Sequence, residues 1–233
     1  MSKNSFSLIL PVLNEEKNIK KLIFLLKKYL SGYSYELIFV DDNSSDRTAS
    51  IINNYTKKNI KYFLRLEEPD LTQACIFGIS KSKYNNIIIM DSDLQHNPKY
   101  LPRMISLFSI KNYDFLIGTR NFSFDGSLVL YRFILSKLLI YIFNFFLRPP
   151  LHDPMSGFFI FKKKIYKKNK NLMFGKGFKI LSDLIYNKNK YYIGEFVIQF
   201  NSRKKNKSKM SLSVLLNVIK LLIFKIYLLH IRK

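Results

Sequence analysis

"NNIIIMDSDLQHNPKYL", residues 85–101, decides how the rest of the chain is read. Its first part, Ile87–Met90, is apolar and β-prone, which fits a buried strand. Asp-Ser-Asp-Leu-Gln-His follows, and then Asn97-Pro98. Asparagine caps helices, and proline is tolerated in a first helical turn. The stretch therefore predicts a strand over Asn86–Asp93, a polar rim, and a helix through "NPKYLPRMISLF". Two acids, an amide and an imidazole gather at the end of one buried strand.

Working outward, the same alternation repeats. Phe6–Leu13, Tyr35–Asp42, Ile60–Leu66 and Asp114–Arg120 read as further strands. Between them, "EKNIKKLIFLLKKYL" places Ile19, Leu22, Ile23, Leu26 and Leu30 at helical spacing. "SDRTASIINNYTKK" opens with a serine/aspartate cap signal. Strand–helix alternation implies a mostly parallel sheet with both faces covered. Ligands of such sheets bind beyond the carboxyl ends of the strands. Polar clusters fall there repeatedly: Asn14-Glu15, Asp41-Asp42, Asp91 to His96, and Arg120.

The second half is less regular. Leu128–Leu147 is a long apolar helix pattern, "SGFFIFKK" and "YYIGEFVIQF" read as strands, and "GFKILSDLIYNK" reads as a helix. "NSRKKNKSKMS" is a basic loop, and "LSVLLNVIKLLIFKIYLL" closes the chain. There is no internal repeat, and no long linker separates two domains.

Composition sets the chemical class. Hydrophobic residues make up 48% of 233, enough for a full core. Lys and Arg number 39 against 16 acids, a net charge of +23, which points to anionic partners: phosphates, nucleic acid or an acidic membrane surface. Abundant Lys, Asn, Ile, Phe and Tyr show a compositional bias that accounts for part of the excess. Cys75 is the only cysteine, which excludes an internal disulfide and a cysteine-based zinc site and fits a reducing compartment. The start, "MSKNSFSLILPVLNEE", does not read as a signal peptide.

In so basic a chain the acids of Asp-Ser-Asp need a purpose. Asp-x-Asp at a strand end can hold Mg²⁺ or Mn²⁺ through hard oxygen ligands that also meet diphosphate. In extended backbone Asp91, Asp93 and Gln95 share one phase. The alternative is that Asp93 only begins a turn or caps the next helix.

"PVLNEE", "VDDNSSDRT", "DSDLQH", "GTR" and "DPMSGFF" occur in that order. The set resembles the inverting, nucleotide-sugar-dependent glycosyltransferases of the GT-A fold. Within them it is similar to dolichyl- or polyprenyl-phosphate mannosyltransferases, over roughly residues 5 to 215. The resemblance implies a Rossmann-like α/β catalytic domain over 5–210, with 211–233 as a C-terminal amphipathic helix. It implies that Asp91, Asp93 and Gln95 hold Mg²⁺ or Mn²⁺. It puts Pro11, Leu13, Glu15, Val40, Asp41, Asp42 and Ser92 along the donor pocket, and Lys179, Arg203 and Lys209 on the donor from the other side. The loop departs from the family's usual Arg-x-Gly-Glu-Ser-Lys, so Lys207 could replace Lys209. The segment "EEPDLTQACIFGI" lacks the glycines common there.

The implied reaction moves a hexose, mannose from GDP-mannose foremost, onto dolichyl or polyprenyl phosphate. A phosphate acceptor is already an oxyanion and needs no general base, but it does need cations. Arg120, at a strand end, and Arg132 with Ser136, one helical turn apart, are the candidates. The alternative for Arg132 is a cation snorkelling from an apolar helix. His96 is not assigned as a base. Neither 128–147 nor 212–229 suits a membrane span, since both carry several polar residues. The terminal segment suits a helix lying in an interface, or one buried on the core. A cytoplasmic enzyme, peripheral at the inner membrane face, is the expectation. Same-fold enzymes using UDP-glucose or UDP-N-acetylhexosamine, or a saccharide acceptor, stay open. A basic nucleic-acid module is a rival, but its acids would repel phosphate, and no nucleic-acid partner is expected. A catalytically dead scaffold draws no support from an intact Asp-x-Asp.

Overall fold

The computed structural model describes residues 5–120, 138, 140–145, 149–177, 179–187, 189–199 and 212–231. Strands β1 (Ser5–Val12), β2 (Ser34–Asp41), β3 (Ile60–Leu64), β4 (Asn86–Met90), β5 (Phe115–Arg120), β6 (Phe158–Lys162) and β7 (Ile193–Ile198) form one seven-stranded sheet, in the order β3-β2-β1-β4-β6-β5-β7. Helices α1 (Glu16–Tyr29), α2 (Thr48–Asn53), α3 (Leu71–Lys81) and α4 (Leu101–Lys111) alternate with the first five strands. Helices α5 (Lys163–Asn169), α6 (Ile180–Ile185) and α7 (Leu212–Ile231) belong to the second half.

The sheet is mostly parallel, as the alternation predicts. β1 runs parallel to β2 and β4, β2 to β3, and β5 to β7. β6 is antiparallel to both β4 and β5. Because β6 runs backwards, its first residue, Phe158, pairs with Met90, the last residue of β4. That register brings the segment before Phe158 to the carboxyl rim beside Asp91.

Period-two alternation splits the core between the two faces. Leu8, Leu10, Leu37, Phe39, Ile88 and Met90 face one way, where α1, α2 and α4 cover them. Ile9, Ile38, Val40, Ile87 and Ile89 face the other way, under α3, α6, α7 and Phe143. Local signals start the helices. Asn97 Oδ1 accepts from the Lys99 N–H at 3.0 Å, Asp46 Oδ1 from Thr48 at 2.9 Å, and Asp70 Oδ1 from Gln73 at 2.9 Å. Asn112, left-handed at φ 53°, follows the last residue of α4.

One sequence expectation at the rim changes. β4 stops at Met90, not at Asp93, and residues 91–96 form a turn with Leu94 at φ 63°. The shared phase of Asp91, Asp93 and Gln95 in extended backbone therefore does not apply. The 128–147 helix pattern lies largely outside the described residues, of which 140–145 are helical.

The terminal helix α7 is seated on the core through Val218 and Leu221, with Leu222, Ile226 and Leu229 packed beside them. Lys225 is wholly buried and makes three contacts: Asp183 Oδ1 at 2.7 Å, the Asp183 carbonyl at 2.8 Å and the Leu172 carbonyl at 3.0 Å. Three donors meeting three acceptors satisfy the ammonium group without water. The outward side of α7 carries Ile219, Ile223 and Tyr227, all exposed. Among the described residues, no helix is long and apolar enough to cross a membrane.

Candidate active site

The rim is built first by stitching two loops together. At the end of β1, Asn14 is left-handed at φ 56°, and beyond β2 so is Asn43 at φ 69°. The Asn14 N–H donates to Ser44 Oγ at 2.9 Å, and Asn14 Oδ1 accepts from the Ser45 N–H at 2.8 Å. The Glu15 N–H donates to Thr48 Oγ1 at 2.8 Å. Ser92 Oγ donates to the Pro11 carbonyl at 2.9 Å, tying the end of β4 to β1. Three strand ends are thus fixed relative to one another.

The acids on this rim differ in their surroundings. Asp41 is wholly buried; its oxygens accept from the Ser44 N–H at 2.8 Å and the Tyr62 hydroxyl at 3.0 Å. Burial, and then the Asp41 bond, push the Tyr62 hydroxyl well above the ordinary phenol range. Asp42 is also buried, paired with Arg65, and accepts from the Asp70 N–H at 2.5 Å. Burial raises its carboxyl, and Arg65 and that N–H act the other way. Glu15 accepts from Asn18 Nδ2 at 2.6 Å. Asp91 keeps 34% of its side chain exposed, and its Oδ2 lies 3.4 Å from His96 Nε2. Asp93 is half-buried and its Oδ1 accepts from the Gln95 N–H at 3.0 Å, the turn-forming contact noted above as its alternative role.

Cations meet Asp91 from the second half of the chain. Arg120, the last residue of β5, closes its fork on the wholly buried Asp153, with Nε at 2.6 Å from Oδ2 and Nη2 at 2.9 Å from Oδ1. Burial works against the guanidinium charge, and the Asp153 bonds more than offset it, so Arg120 holds its proton more firmly than usual. Lys179 is half-buried beside this pair. Burial pulls its ammonium down to about 8; Arg120 adds to the fall, while Asp153 and Asp91 oppose it. The loop that leads to Lys179 is pinned at Gly177: its N–H donates to Asp70 Oδ2 at 2.6 Å, and its carbonyl accepts from the Thr72 N–H at 2.9 Å.

Of the residues singled out by sequence, Asp91, Ser92, Asp93, Gln95, Arg120 and Lys179 come from the ends of β4 and β5 and the start of α6. Pro11, Leu13, Glu15, Asp41 and Asp42 lie at the ends of β1 and β2. Val40 is wholly buried in the core, so its side chain packs under the rim. Arg132, Ser136, Arg203 and Lys209 lie outside the described residues. Sequence reasoning missed Asp153, Asp70 and Arg65. Asp153 sat in view, in "DPMSGFF", but nothing local says which arginine it would grip.

The donor set fits one kind of cation site. Among the described residues, no three of His, Cys, Asp and Glu gather as a ready cage. Asp91, partly exposed, with Asp93 two residues on, fits a cation of the Mg²⁺ type. Such an ion keeps waters and is held by one or two carboxylates plus phosphate oxygens.

Comparison with known proteins agrees with this geometry. Residues 7–169 match the model of glycosyl transferase family 2. The dolichol-phosphate mannosyltransferase of Pyrococcus furiosus is 33% identical over 213 residues, 88% of this chain and 58% of that protein. The dolichol-phosphate mannosyltransferase of Saccharomyces cerevisiae is 30% identical over 230 residues, 92% of this chain and 84% of that protein. The chain thus spans little more than half the length of the first relative and most of the second. Among solved structures, glucosyl-3-phosphoglycerate synthase of Mycobacterium tuberculosis with Mn²⁺, UDP and phosphoglyceric acid superposes with a TM-score of 0.72 at 16% identity, covering 96% of this chain and 78% of that one. The same enzyme with Mn²⁺, UDP-glucose and phosphoglyceric acid gives 0.71 at 17% identity, covering 96% and 80%. At that identity the likeness establishes the shared GT-A architecture.

Proposed function

The chain belongs to glycosyl transferase family 2, and from that premise we propose that it transfers mannose from GDP-mannose to a dolichyl or polyprenyl phosphate, with inversion. The observation that carries the reading is Arg120, its fork closed on buried Asp153, standing at the end of β5 on the same carboxyl rim as Asp91. The two relatives compared above, both dolichol-phosphate mannosyltransferases, support the choice of sugar and lipid.

Asp91 and Asp93, with Gln95, would hold Mg²⁺ or Mn²⁺, which would neutralise charge on the diphosphate leaving group. Pro11, Leu13, Glu15, Asp41, Asp42 and Ser92 would frame the nucleotide, with Val40 beneath them. Lys179, Arg203 and Lys209 would grip the diphosphate side. The acceptor phosphate attacks as an oxyanion, so no side chain has to take a proton from it. Arg120 would steer that phosphate, with Arg132 and Ser136. Asp153 fixes the plane of Arg120's fork, which orients it for a planar, two-point contact.

The lipid acceptor calls for membrane contact. Exposed Leu138, Tyr141 and Phe145 on one helical segment, and Ile219, Ile223 and Tyr227 on α7, support a peripheral association. Both helices cover the same face of the sheet.

Lys179 gives a pH test. In the free protein its charge is present below about 8 and lost as pH rises through that value. If it grips the donor, affinity for GDP-mannose should fall by up to about tenfold between roughly pH 7 and 9, following the protonated fraction. Lys179→Arg stays charged and should flatten the profile. Calorimetric titrations of donor at several pH values check this; a fall of the same size in the arginine variant would remove Lys179 from the donor site.

A further inference from the structure

The carboxylate of Asp91 lies flat on the α-carbon of Gly157. A methyl carbon built at Gly157 would fall 2.2 Å from Asp91 Oδ2, 2.6 Å from Cγ and 2.7 Å from Oδ1. Nonbonded heavy atoms rest about 3.5–4.0 Å apart, so no side chain fits while Asp91 stays there. The two residues are also joined through the backbone, since the Asp91 N–H donates to the Gly157 carbonyl at 3.2 Å. Backbone conformation does not explain the glycine. The described glycines with positive φ are Gly32, Gly175 and Gly177, and Gly157 is not among them. What this position requires is room, and the three nearest atoms in that room all belong to Asp91.

His96 approaches the same carboxylate. It is 2% exposed, its ring lies 5.5 Å from that of Phe158, and its Nε2 is 3.4 Å from Asp91 Oδ2. Asp91 therefore has two neighbouring walls, a bare α-carbon and an imidazole. β6 supplies the first wall because it runs antiparallel, with Phe158 paired to Met90.

We infer that Gly157 and His96 are positioning residues that set the Asp91 carboxylate, Gly157 by having no side chain. The inference rests on the reading of Asp91 as a metal ligand. Gly157→Ala should leave the fold intact, because the three nearest atoms it must displace are the tip of one half-exposed side chain. It turns Asp91 away from the site. Groups that orient a ligand typically contribute about ten- to a hundredfold to metal affinity.

The test titrates Mn²⁺ into the full chain with GDP, and separately with UDP, following free Mn²⁺ by electron paramagnetic resonance. Wild type, Gly157→Ala, His96→Gln and Asp91→Asn are compared, with a melting curve for each. Gly157→Ala should bind Mn²⁺ about ten- to a hundredfold more weakly while melting within about 2 °C of wild type. His96→Gln should show a smaller loss in the same direction. Wild-type Mn²⁺ affinity in Gly157→Ala would overturn the inference, as would a loss that appears only with a collapse in melting temperature. Wild-type affinity in Asp91→Asn would instead sink the metal reading beneath it.

Discussion

Replacing Asp91 with asparagine should lower sugar transfer by about 10²–10³-fold at saturating donor and acceptor, the scale for losing a fixed electrostatic contact to a developing charge. Asparagine has nearly the same shape, so it still fits beside Gly157 and His96, and the side chain is already partly in water. Folding should be unaffected. Asp93→Asn sharpens the test. Asp93 Oδ1 accepts from the Gln95 N–H, and an asparagine oxygen can make the same turn. If Asp93 serves only the turn, Asp93→Asn keeps full activity. If it is a charged ligand, activity falls as it does for Asp91. Turnover against Mn²⁺ concentration, measured on both variants, decides. Undiminished transfer by either variant in excess chelator would end its metal role.

Lys225→Met should destabilise the protein by about 3–5 kcal/mol, because it strands the Asp183 carboxylate inside the core. Lys225 is wholly buried, and Asp183 is 2% exposed. Asp183 also accepts from the Phe174 and Gly175 N–H groups at 2.8 and 2.7 Å, so the loss reaches the loop that leads to Lys179. Burial pulls the Lys225 ammonium below its ordinary range, and Asp183 opposes the pull. For a chain of this size the cost corresponds to a fall of about 6–20 °C in melting temperature. Differential scanning calorimetry measures it. A shift under about 2 °C would mean that α7 is a loosely held appendage. The expected result makes α7, Leu212–Ile231, a structural part of the fold that it packs on.

Most of the architecture was legible because parallel strands buried on both faces read as continuous apolar runs. Phe6–Leu13, Tyr35–Asp42 and Asp114–Arg120 each appear within a residue or so of the expected bounds. A helix start was legible where a single side chain makes the cap, as at Asn97; before α2, Asp46 makes only a turn with the Thr48 N–H, and the N-cap is Arg47. The end of β4 was not. Residues 91–96 leave the strand, with Leu94 in a left-handed conformation that no local residue type announces.

Contacts between distant segments were the least legible part of the site. Arg120 was visible as a cation at a strand end, but its partner Asp153 lies 33 residues on. It reaches Arg120 only because β6 runs backwards. Gly157 was quoted within a motif, yet its purpose is a shape relation to Asp91 that a linear pattern does not encode. Asp70, which drew no attention in the sequence, both caps α3 and holds the distant Gly177 N–H. The terminal helix carried the two readings of interface and core together. The structure gives it a core-facing side, through Val218, Leu221 and Lys225, and an exposed apolar side, through Ile219, Ile223 and Tyr227.

The most direct measurement is the formation of radiolabelled lipid by the purified chain across several labelled nucleotide sugars, with polyprenyl phosphate in detergent and either Mg²⁺ or Mn²⁺. The account predicts a labelled glycolipid from GDP-mannose, lost on chelation and in Asp91→Asn, and little from UDP-glucose or UDP-N-acetylhexosamine. Labelled lipid from a UDP-sugar alone, or transfer only to a saccharide acceptor, would contradict it.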